Sequence, residues 1–260
     1  MRILVATYPF GEFNRHPVTL LEETGWEIVP NPYRRRLKEG EVDQLLEGID
    51  GVIAGTEPYR PDIVAKHAPQ LKIVARVGIG LDNVDAEAFA KSQVAVTYTP
   101  DAPSRAVAEL TVAQMLNIIR YIPQSDRSVR EHAWNRLTGW LLSELKVGIL
   151  GMGRIGKIVI RLLQPFGTEI MACDTNPDLA FAREYGVKLV GADELFFSSD
   201  IVSVHIPLDN GNKHFVNRRF MGLMKTGSFL INTSRGPVLE EDALVDALLQ
   251  KHLGGAALDV

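Results

Sequence analysis

The stretch KVGILGMGRIG at 146–156 decides the fold. It begins with an apolar run of strand type and continues as Gly-x-Gly-x-x-Gly, directly before a helical pattern. Gly151 permits a tight turn, Gly153 lets the backbone approach a pyrophosphate, and Gly156 lets the helix pack closely on the strand. The spacing alone is a weak signal, but its position between a strand and a helix makes it specific. We therefore predict the first strand, turn and helix of a dinucleotide-binding domain.

A carboxylate follows where such a domain needs one. The next apolar run, EIMACD, ends at Asp174, 18 residues after Gly156. A carboxylate at the end of the second strand accepts hydrogen bonds from the ribose hydroxyls and repels a 2′-phosphate. Residues 175–177 supply no cation for that phosphate. The sequence therefore predicts NAD rather than NADP, with the N–H groups of Arg154 and Ile155 contacting the pyrophosphate.

Similar strands alternate with helical patterns along the whole chain. Continuous Ile/Val runs, such as those at 51–56 and 201–206, are typical of strands buried on both faces of a parallel sheet. We predict an α/β protein with two doubly wound parallel-sheet domains. Residues 1–100 form a flavodoxin-like substrate-binding domain in this prediction, and residues 101–260 form a Rossmann NAD-binding domain that begins with a long helix from Ser104.

The composition excludes several classes of protein. The 260 residues are 46% hydrophobic and 23% charged, with a formal net charge of −4, which is typical of a globular domain and not of a disordered chain or a membrane protein. The acidic balance gives no reason to expect nucleic acid as a partner. A single cysteine and the absence of a signal-peptide pattern favour a cytoplasmic location. The tryptophan-containing stretch 104–145 predicts either an interdomain helix or the interface of a homodimer.

Three further strand ends are polar. They are His205-Ile206-Pro207, Asn232-Thr233-Ser234-Arg235-Gly236 and Asp259. Because the carboxyl ends of parallel strands form the ligand crevice, we expect these residues near the cofactor. Arg235 can hold a carboxylate with two hydrogen bonds and polarise a carbonyl, although a structural salt bridge is the alternative. In the first domain, Gly78-Ile79-Gly80 either offers N–H groups to a small anion or forms a plain turn.

The chain resembles a known family. VGIGLDNVD at 77–85, VGILGMGRIG at 147–156, SDIVSVHIPL at 199–208, INTSRGPVLEEDAL at 231–244 and GGAALDV at 254–260 follow one another in family order, as does AVAELT at 106–111. They are similar to motifs of the D-isomer-specific 2-hydroxyacid dehydrogenases, most closely of the phosphoglycerate dehydrogenase branch. The resemblance implies NAD-dependent interconversion of a D-2-hydroxy acid and its 2-oxo acid.

The resemblance also implies roles for individual residues. Arg235 would be the catalytic arginine, and Val77, Gly78 and Ile79 would contact the substrate. The cofactor would be bound by a larger set: Gly151, Gly153, Arg154, Ile155, Gly156, Asp174, His205, Ile206, Pro207, Thr233, Ser234, Arg235 and Asp259. No metal ion is implied.

In two respects the chain differs from the family pattern. The family's acid/base histidine and its glutamate lie beyond the GGAALDV strand, whereas this sequence stops at Val260. We therefore expect an incomplete chain, which would bind NAD and turn over poorly. The turn at 55–59 lacks the arginine that suits a phosphate, and Arg34-Arg35-Arg36 is interpreted as a solvated loop.

The substrate is therefore left open between three possibilities. D-3-phosphoglycerate, the substrate of serine biosynthesis, is preferred. Glyoxylate or hydroxypyruvate, and D-lactate, are the enzymatic alternatives. A different class of protein also fits, because a corepressor lineage that senses NAD(H) shares this fold.

Overall fold

The structure, a computed structural model, describes residues 1–209 and 211–260. Within it the chain divides into two compact units, Met1–Pro103 and Ser104–Val260. Each unit is built on its own sheet and is described separately below.

The first unit contains a five-stranded parallel sheet. Its strands are β1 (Arg2–Val5), β2 (Glu27–Pro30), β3 (Gly51–Ala54), β4 (Ile73–Arg76) and β5 (Ala95–Tyr98). Its helices are α1 (His16–Glu22), α2 (Glu39–Leu45), α3 (Pro61–His67) and α4 (Ala86–Lys91). The strand order β2-β1-β3-β4-β5 is the flavodoxin-like order 2-1-3-4-5.

The second unit contains a six-stranded parallel sheet. Its strands are β6 (Lys146–Leu150), β7 (Glu169–Cys173), β8 (Lys188–Leu189), β9 (Ile201–Val204), β10 (Phe229–Asn232) and β11 (Gly255–Leu258). Its helices are α5 (Ser104–Ile119), α6 (Ile122–Arg130), α7 (Arg154–Leu163), α8 (Leu179–Glu184), α9 (Ala192–Ser198), α10 (Arg218–Leu223) and α11 (Glu241–Leu249). The order β11-β10-β9-β6-β7-β8 is the Rossmann order. The prediction of two doubly wound parallel-sheet domains is confirmed.

Burial explains why the strands lack in–out alternation. All four residues of β9 and all four of β10 are buried, because helices cover both faces of the sheet. On one face, α5 packs on α7. An apolar stripe of α5 lies in this core, with Ala108, Met115 and Ile119 fully buried. Burying one such large apolar side chain stabilises the fold by about 1.5–3 kcal/mol.

Two negative findings apply to the described residues. No helix among them is long and apolar enough to cross a lipid bilayer. Within residues 1–209 and 211–260, no group of three or more His, Cys, Asp or Glu side chains is arranged to hold a metal ion.

Candidate functional site

Five neighbouring strands of the second unit end at the same level, so that their last residues are paired in one row across the sheet. The last paired residues of these strands are Leu258, Asn232, Val204, Leu150 and Cys173. The residues that follow them are Asp259, Thr233, His205, Gly151 and Asp174. Neighbouring strands lie about 4.8 Å apart, so the row extends over about 19 Å. The predicted cofactor residues of this unit therefore meet along one edge of the sheet.

The glycine turn after β6 is built as its sequence predicts. Gly151 has a φ of +98°, which favours glycine, and a Cβ there would lie 3.0 Å from the Ile206 side chain. A Cβ at Gly156 would overlap the carbonyl oxygen of Gly151, so this glycine lets α7 approach β6. A Cβ at Gly153 would meet no atom within 4 Å. The space beside Gly153 therefore suits a group that comes close to the backbone.

The start of α7 is positively polarised. The N–H groups in the first turn of an α-helix lack acceptors within the helix and carry a partial positive charge. The first turn of α7 contains no acidic residue but does contain Arg154 and Lys157. Lys157 is paired with Asp178 at 2.6 Å, so it is chiefly the N–H groups of this turn that favour a bound anion. The predicted contacts of Arg154 and Ile155 with pyrophosphate agree with this electrostatics.

Asp174 is fixed to the glycine turn. One carboxylate oxygen, Oδ2, accepts the N–H of Met152 at 2.6 Å, and Oδ1 accepts the N–H of Asn176 at 2.8 Å. The Gly151 N–H donates to the carbonyl of Cys173 at 2.8 Å, which continues the ladder between the two strands. A carboxylate oxygen accepts more than one hydrogen bond, so both oxygens still have capacity for ribose hydroxyls. The structure thus fixes the Asp174 carboxylate beside the glycine turn.

Replacing Asp174 with alanine is expected to reduce the preference for NADH over NADPH. The variant loses two acceptors for the ribose hydroxyls, which weakens NADH binding by about 10- to 100-fold. It also removes the charge that repels a 2′-phosphate, so NADPH binding is expected to strengthen. Fluorescence titration of both nucleotides measures the change. Equal affinities for the two nucleotides in the unchanged protein would contradict this role of Asp174.

The end of β9 carries a neutral histidine. His205 is half-buried, its N–H donates to Leu150 O at 2.7 Å, and its Nε2 lies 2.8 Å from Ser203 Oγ in a hydrogen bond. Burial lowers the pKa of His205 to about 4. The ring is therefore uncharged near pH 7, which agrees with a place at the cofactor's edge and not with a proton donor. Ile206 lies against Gly151, and Pro207 is exposed.

His205 makes the stability of the second unit depend on pH. Its pKa is about 4 in the folded protein and about 6.5 when unfolded, so between these values the unfolded state binds the extra proton. We expect unfolding free energy to fall by about 2 kcal/mol from pH 7 to pH 5 through this residue alone. Urea unfolding at the two pH values measures it, with His205→Gln as the control. An equal fall in the control would refute the assignment to His205.

The turn after β10 is organised by Asn232, which is fully buried. Its Nδ2 donates to the carbonyl of Arg235 at 2.9 Å, and its Oδ1 accepts from the N–H and the hydroxyl of Ser234. Arg235 is half-buried, and its Nη1 donates to Ser234 O at 2.7 Å. Thr233 is buried, and its hydroxyl is hydrogen-bonded to that of Thr111 at 2.8 Å. The turn therefore presents one guanidinium at the sheet edge on a rigid backbone.

Asp259 completes the row beside this turn. Its N–H donates to Asn232 O at 3.0 Å, which extends the pairing of β10 and β11 by one residue. The Asp259 residue is exposed. A Cβ at Gly236 would lie 3.7 Å from the backbone of Val260, so the turn and the residues after β11 are neighbours.

The predicted residues of the first unit follow β4. The Val77 N–H donates to Ala54 O at 2.9 Å, and Val77 is exposed. Gly78 has a φ of +147°, and its N–H donates to the hydroxyl of Thr99 at 2.7 Å. Ile79 is half-buried. An anion at the Gly78 amide would therefore take the place of the Thr99 hydroxyl.

Sequence reasoning missed the parts that three residues play in shaping the site. Asn232 orders the arginine turn, Thr111 holds Thr233, and the Met152 N–H fixes Asp174. Asn232 was predicted only as the start of a polar strand end, and its part could have been found, because an amide in a fully buried strand needs partners. Thr111 is a polar residue on the apolar stripe of α5, which is a similar signal. The Met152 contact is made by the backbone and leaves no mark in the sequence.

A parallel sheet in Rossmann order, with a glycine turn after its first strand and an anchored carboxylate after its second, defines a dinucleotide-binding protein. A family model described as "D-isomer specific 2-hydroxyacid dehydrogenase, NAD binding domain" matches residues 112–260. The chain belongs to the D-isomer-specific 2-hydroxyacid dehydrogenase family, and NAD is its cofactor. The predicted family and the predicted cofactor are thereby confirmed.

Sequence relatives and solved structures agree with this family. D-3-phosphoglycerate dehydrogenase of Methanocaldococcus jannaschii is 36% identical over 248 residues, which cover 94% of this chain and 46% of that protein. Hydroxypyruvate reductase of Thermotoga maritima is 33% identical over 227 residues, which cover 86% of this chain and 73% of that protein. The apo-structure of D-lactate dehydrogenase from Escherichia coli has a TM-score of 0.87 at 27% identity. The alignment covers 100% of this chain and 82% of that protein chain. The chain spans about half the length of the D-3-phosphoglycerate dehydrogenases it matches.

Proposed function

We propose that this chain belongs to an NAD-dependent dehydrogenase that interconverts a D-2-hydroxy acid and its 2-oxo acid. D-3-phosphoglycerate, the substrate of serine biosynthesis, is the preferred substrate. The observation that carries the proposal is the half-buried guanidinium of Arg235. It lies in the turn after β10, two strands from the glycine turn at the same edge of the sheet. Several relatives named D-3-phosphoglycerate dehydrogenase support the choice of substrate.

Each group at this edge of the sheet has a distinct task in this proposal. Asp174 holds the adenosine ribose, and the start of α7 binds the pyrophosphate. When bound, NAD would supply the nicotinamide ring that takes up or gives the hydride of the substrate's C2, while the C2 hydroxyl loses or gains a proton. Arg235 holds the substrate carboxylate with two parallel hydrogen bonds and polarises the adjacent C2 oxygen. Asp259 faces the nicotinamide carboxamide.

The proposed division of labour assigns the substrate to the first domain, 1–100, and NAD to the second, 101–260. Val77, Gly78 and Ile79 then lie against the substrate, and the N–H groups of Gly78 and Ile79 bind its carboxylate, which replaces the Thr99 hydroxyl at Gly78. The Gly78 N–H supports this, since it already donates to an oxygen acceptor, the Thr99 hydroxyl, at 2.7 Å.

Turnover of defined acids by the full-length protein tests the proposal. NADH formation is measured with NAD and D-3-phosphoglycerate, D-glycerate or D-lactate, and the L-isomers are the controls. We expect activity with at least one D-acid and none with the L-isomers. Tight NADH binding without turnover of any 2-hydroxy or 2-oxo acid, glyoxylate and hydroxypyruvate included, would contradict the proposal and favour the NAD(H)-sensing class.

The assembly we propose is a cytoplasmic homodimer. Large apolar side chains with 44–88% exposure are concentrated between residues 122 and 141: Ile122, Val129, Trp134, Leu137, Trp140 and Leu141. Exposed apolar patches of this kind mark interaction surfaces. A second copy of the chain would cover them. Sedimentation velocity is expected to show a dimer that Trp134→Arg weakens, and a monomeric unchanged protein would contradict it.

A further inference from the structure

The carboxyl edge of the first sheet carries a rigid turn. Residues 55–59 follow β3, and the Glu57 side chain beneath them is 1% exposed. Its Oε1 accepts the Gly55 N–H and the Tyr59 hydroxyl, both at 2.7 Å. The Asn83 side chain donates to the carbonyls of Gly55 and Glu57. The turn is therefore held from inside by several hydrogen bonds.

The loop after β2 is folded over the same edge. The Asn31 side-chain amide donates to Ala6 O, directly after β1, at 2.7 Å and to Arg35 O at 2.8 Å. Leu37 is 2% exposed and belongs to the core of the first unit. The segment between these two anchors, which contains Arg36, is thus fixed at the carboxyl end of the sheet.

Arg36 is bound to the turn by two hydrogen bonds. Its Nε and Nη2 donate to the carbonyl of Thr56 at 3.1 and 2.7 Å. These bonds use two of the five N–H donors of a guanidinium. The acceptor is an uncharged carbonyl, so the bonds do not neutralise the positive charge of Arg36. Within residues 1–209 and 211–260, no carboxylate forms an ion pair with Arg36, and the residue is exposed.

The neighbouring arginines differ in this respect. Arg34 pairs with Glu12 at 3.1 Å, and Arg35 pairs with Glu41 at 2.6 Å. Arg60 pairs with Asp62 at 2.8 Å and also with Glu39. The charges of these arginines are balanced by carboxylates. All three arginines are exposed, as expected for a solvated loop, but the Arg36 guanidinium is in addition oriented by the turn.

We infer that Arg36 binds an anionic group, a phosphate above all, carried by the substrate at the end remote from its carboxylate. The inference rests on the proposed function and specifies its substrate class. An oriented guanidinium at the ligand edge of an open α/β sheet has the geometry for phosphate recognition. Arg36 supplies from the loop after β2 the charge that the turn at 55–59 lacks in its own sequence.

Two ligands that differ by one phosphate test this inference. D-3-phosphoglycerate and D-glycerate are titrated calorimetrically into the NADH-loaded full-length protein, so the measurement does not need turnover. We expect Arg36→Met to weaken D-3-phosphoglycerate binding by about 10- to 100-fold and D-glycerate binding by less than about twofold. Arg36→Lys is expected to recover part of the loss. Arg34→Met is the matched control and is expected to change neither affinity.

Three results would overturn the inference. They are an unchanged affinity for D-3-phosphoglycerate in Arg36→Met, an equal loss for both ligands, and an equal loss in Arg34→Met. Thermal unfolding of each variant shows whether the turn is intact, and a shared loss with lowered stability assigns Arg36 to folding instead. Failure of the proposed function gives a different result, since the unchanged protein would then bind neither acid.

Discussion

Replacing Arg235 with alanine in the full-length protein is expected to lower kcat/KM for the D-2-hydroxy acid by about 1,000-fold or more. The guanidinium is proposed to bind the substrate carboxylate and to stabilise charge on the C2 oxygen as the bond order changes. Loss of one such preorganised donor costs about 100- to 1,000-fold, and here two functions disappear together. NADH affinity is expected to stay within about threefold, because the glycine turn and Asp174 are untouched.

A second arginine of the same unit is the control for this variant. Arg219 lies on α10 and forms an ion pair with Asp193 on the protein surface. Arg219→Ala is expected to leave kcat/KM unchanged. Stopped-flow measurement of NADH formation gives the rates, and fluorescence titration gives the affinities. Persistent turnover in Arg235→Ala would show that the substrate carboxylate is held elsewhere.

The second large effect is expected at Gly153. Gly153→Ala places a methyl group in the open space beside the turn, where the pyrophosphate is expected to approach the backbone. We expect NADH affinity to fall by about 10- to 100-fold, because a methyl group that overpacks a binding site costs about 1–3 kcal/mol. Gly153 has a φ of −75°, which alanine adopts without strain, so the free energy of unfolding is expected to change by less than about 1 kcal/mol.

Gly191 provides a matched comparison for Gly153. It precedes α9 as Gly153 precedes α7, has a φ of −72°, and also has no atom within 4 Å of an added Cβ. Gly191→Ala is expected to have the same small effect on stability and none on NADH affinity. Equal NADH affinity in the two variants would show that no pyrophosphate lies against Gly153.

Most of the fold could be predicted because short stretches of the sequence specify their own secondary structure. Apolar runs such as 201–206 and the glycine turn at 151–156 each specify their own backbone, and parallel order follows from the intervening helices. The strands are shorter than the apolar runs, since β9 ends at Val204. Ile206 continues the apolar pattern but lies beyond the end of β9, as does His205, and both belong to the predicted site. The polar strand ends led to the predicted row of cofactor residues, because the carboxyl ends of parallel strands meet at one edge of the sheet.

The parts that were not predicted depend on contacts between distant segments. Arg34, Arg35 and Arg36 are identical in type and consecutive, yet only tertiary structure brings Glu12 and Glu41 to the first two and Thr56 to the third. The Thr111–Thr233 hydrogen bond joins residues 122 positions apart. Periodicity and spacing contain no information about such pairs.

A crystal structure of the protein grown with NADH tests the central claim most directly. We expect the pyrophosphate against the start of α7, the adenosine ribose hydrogen-bonded to both oxygens of Asp174, and the nicotinamide between the ends of β9 and β10. A crevice filled by the protein's own side chains, or NADH bound at another edge of the sheet, would contradict the account.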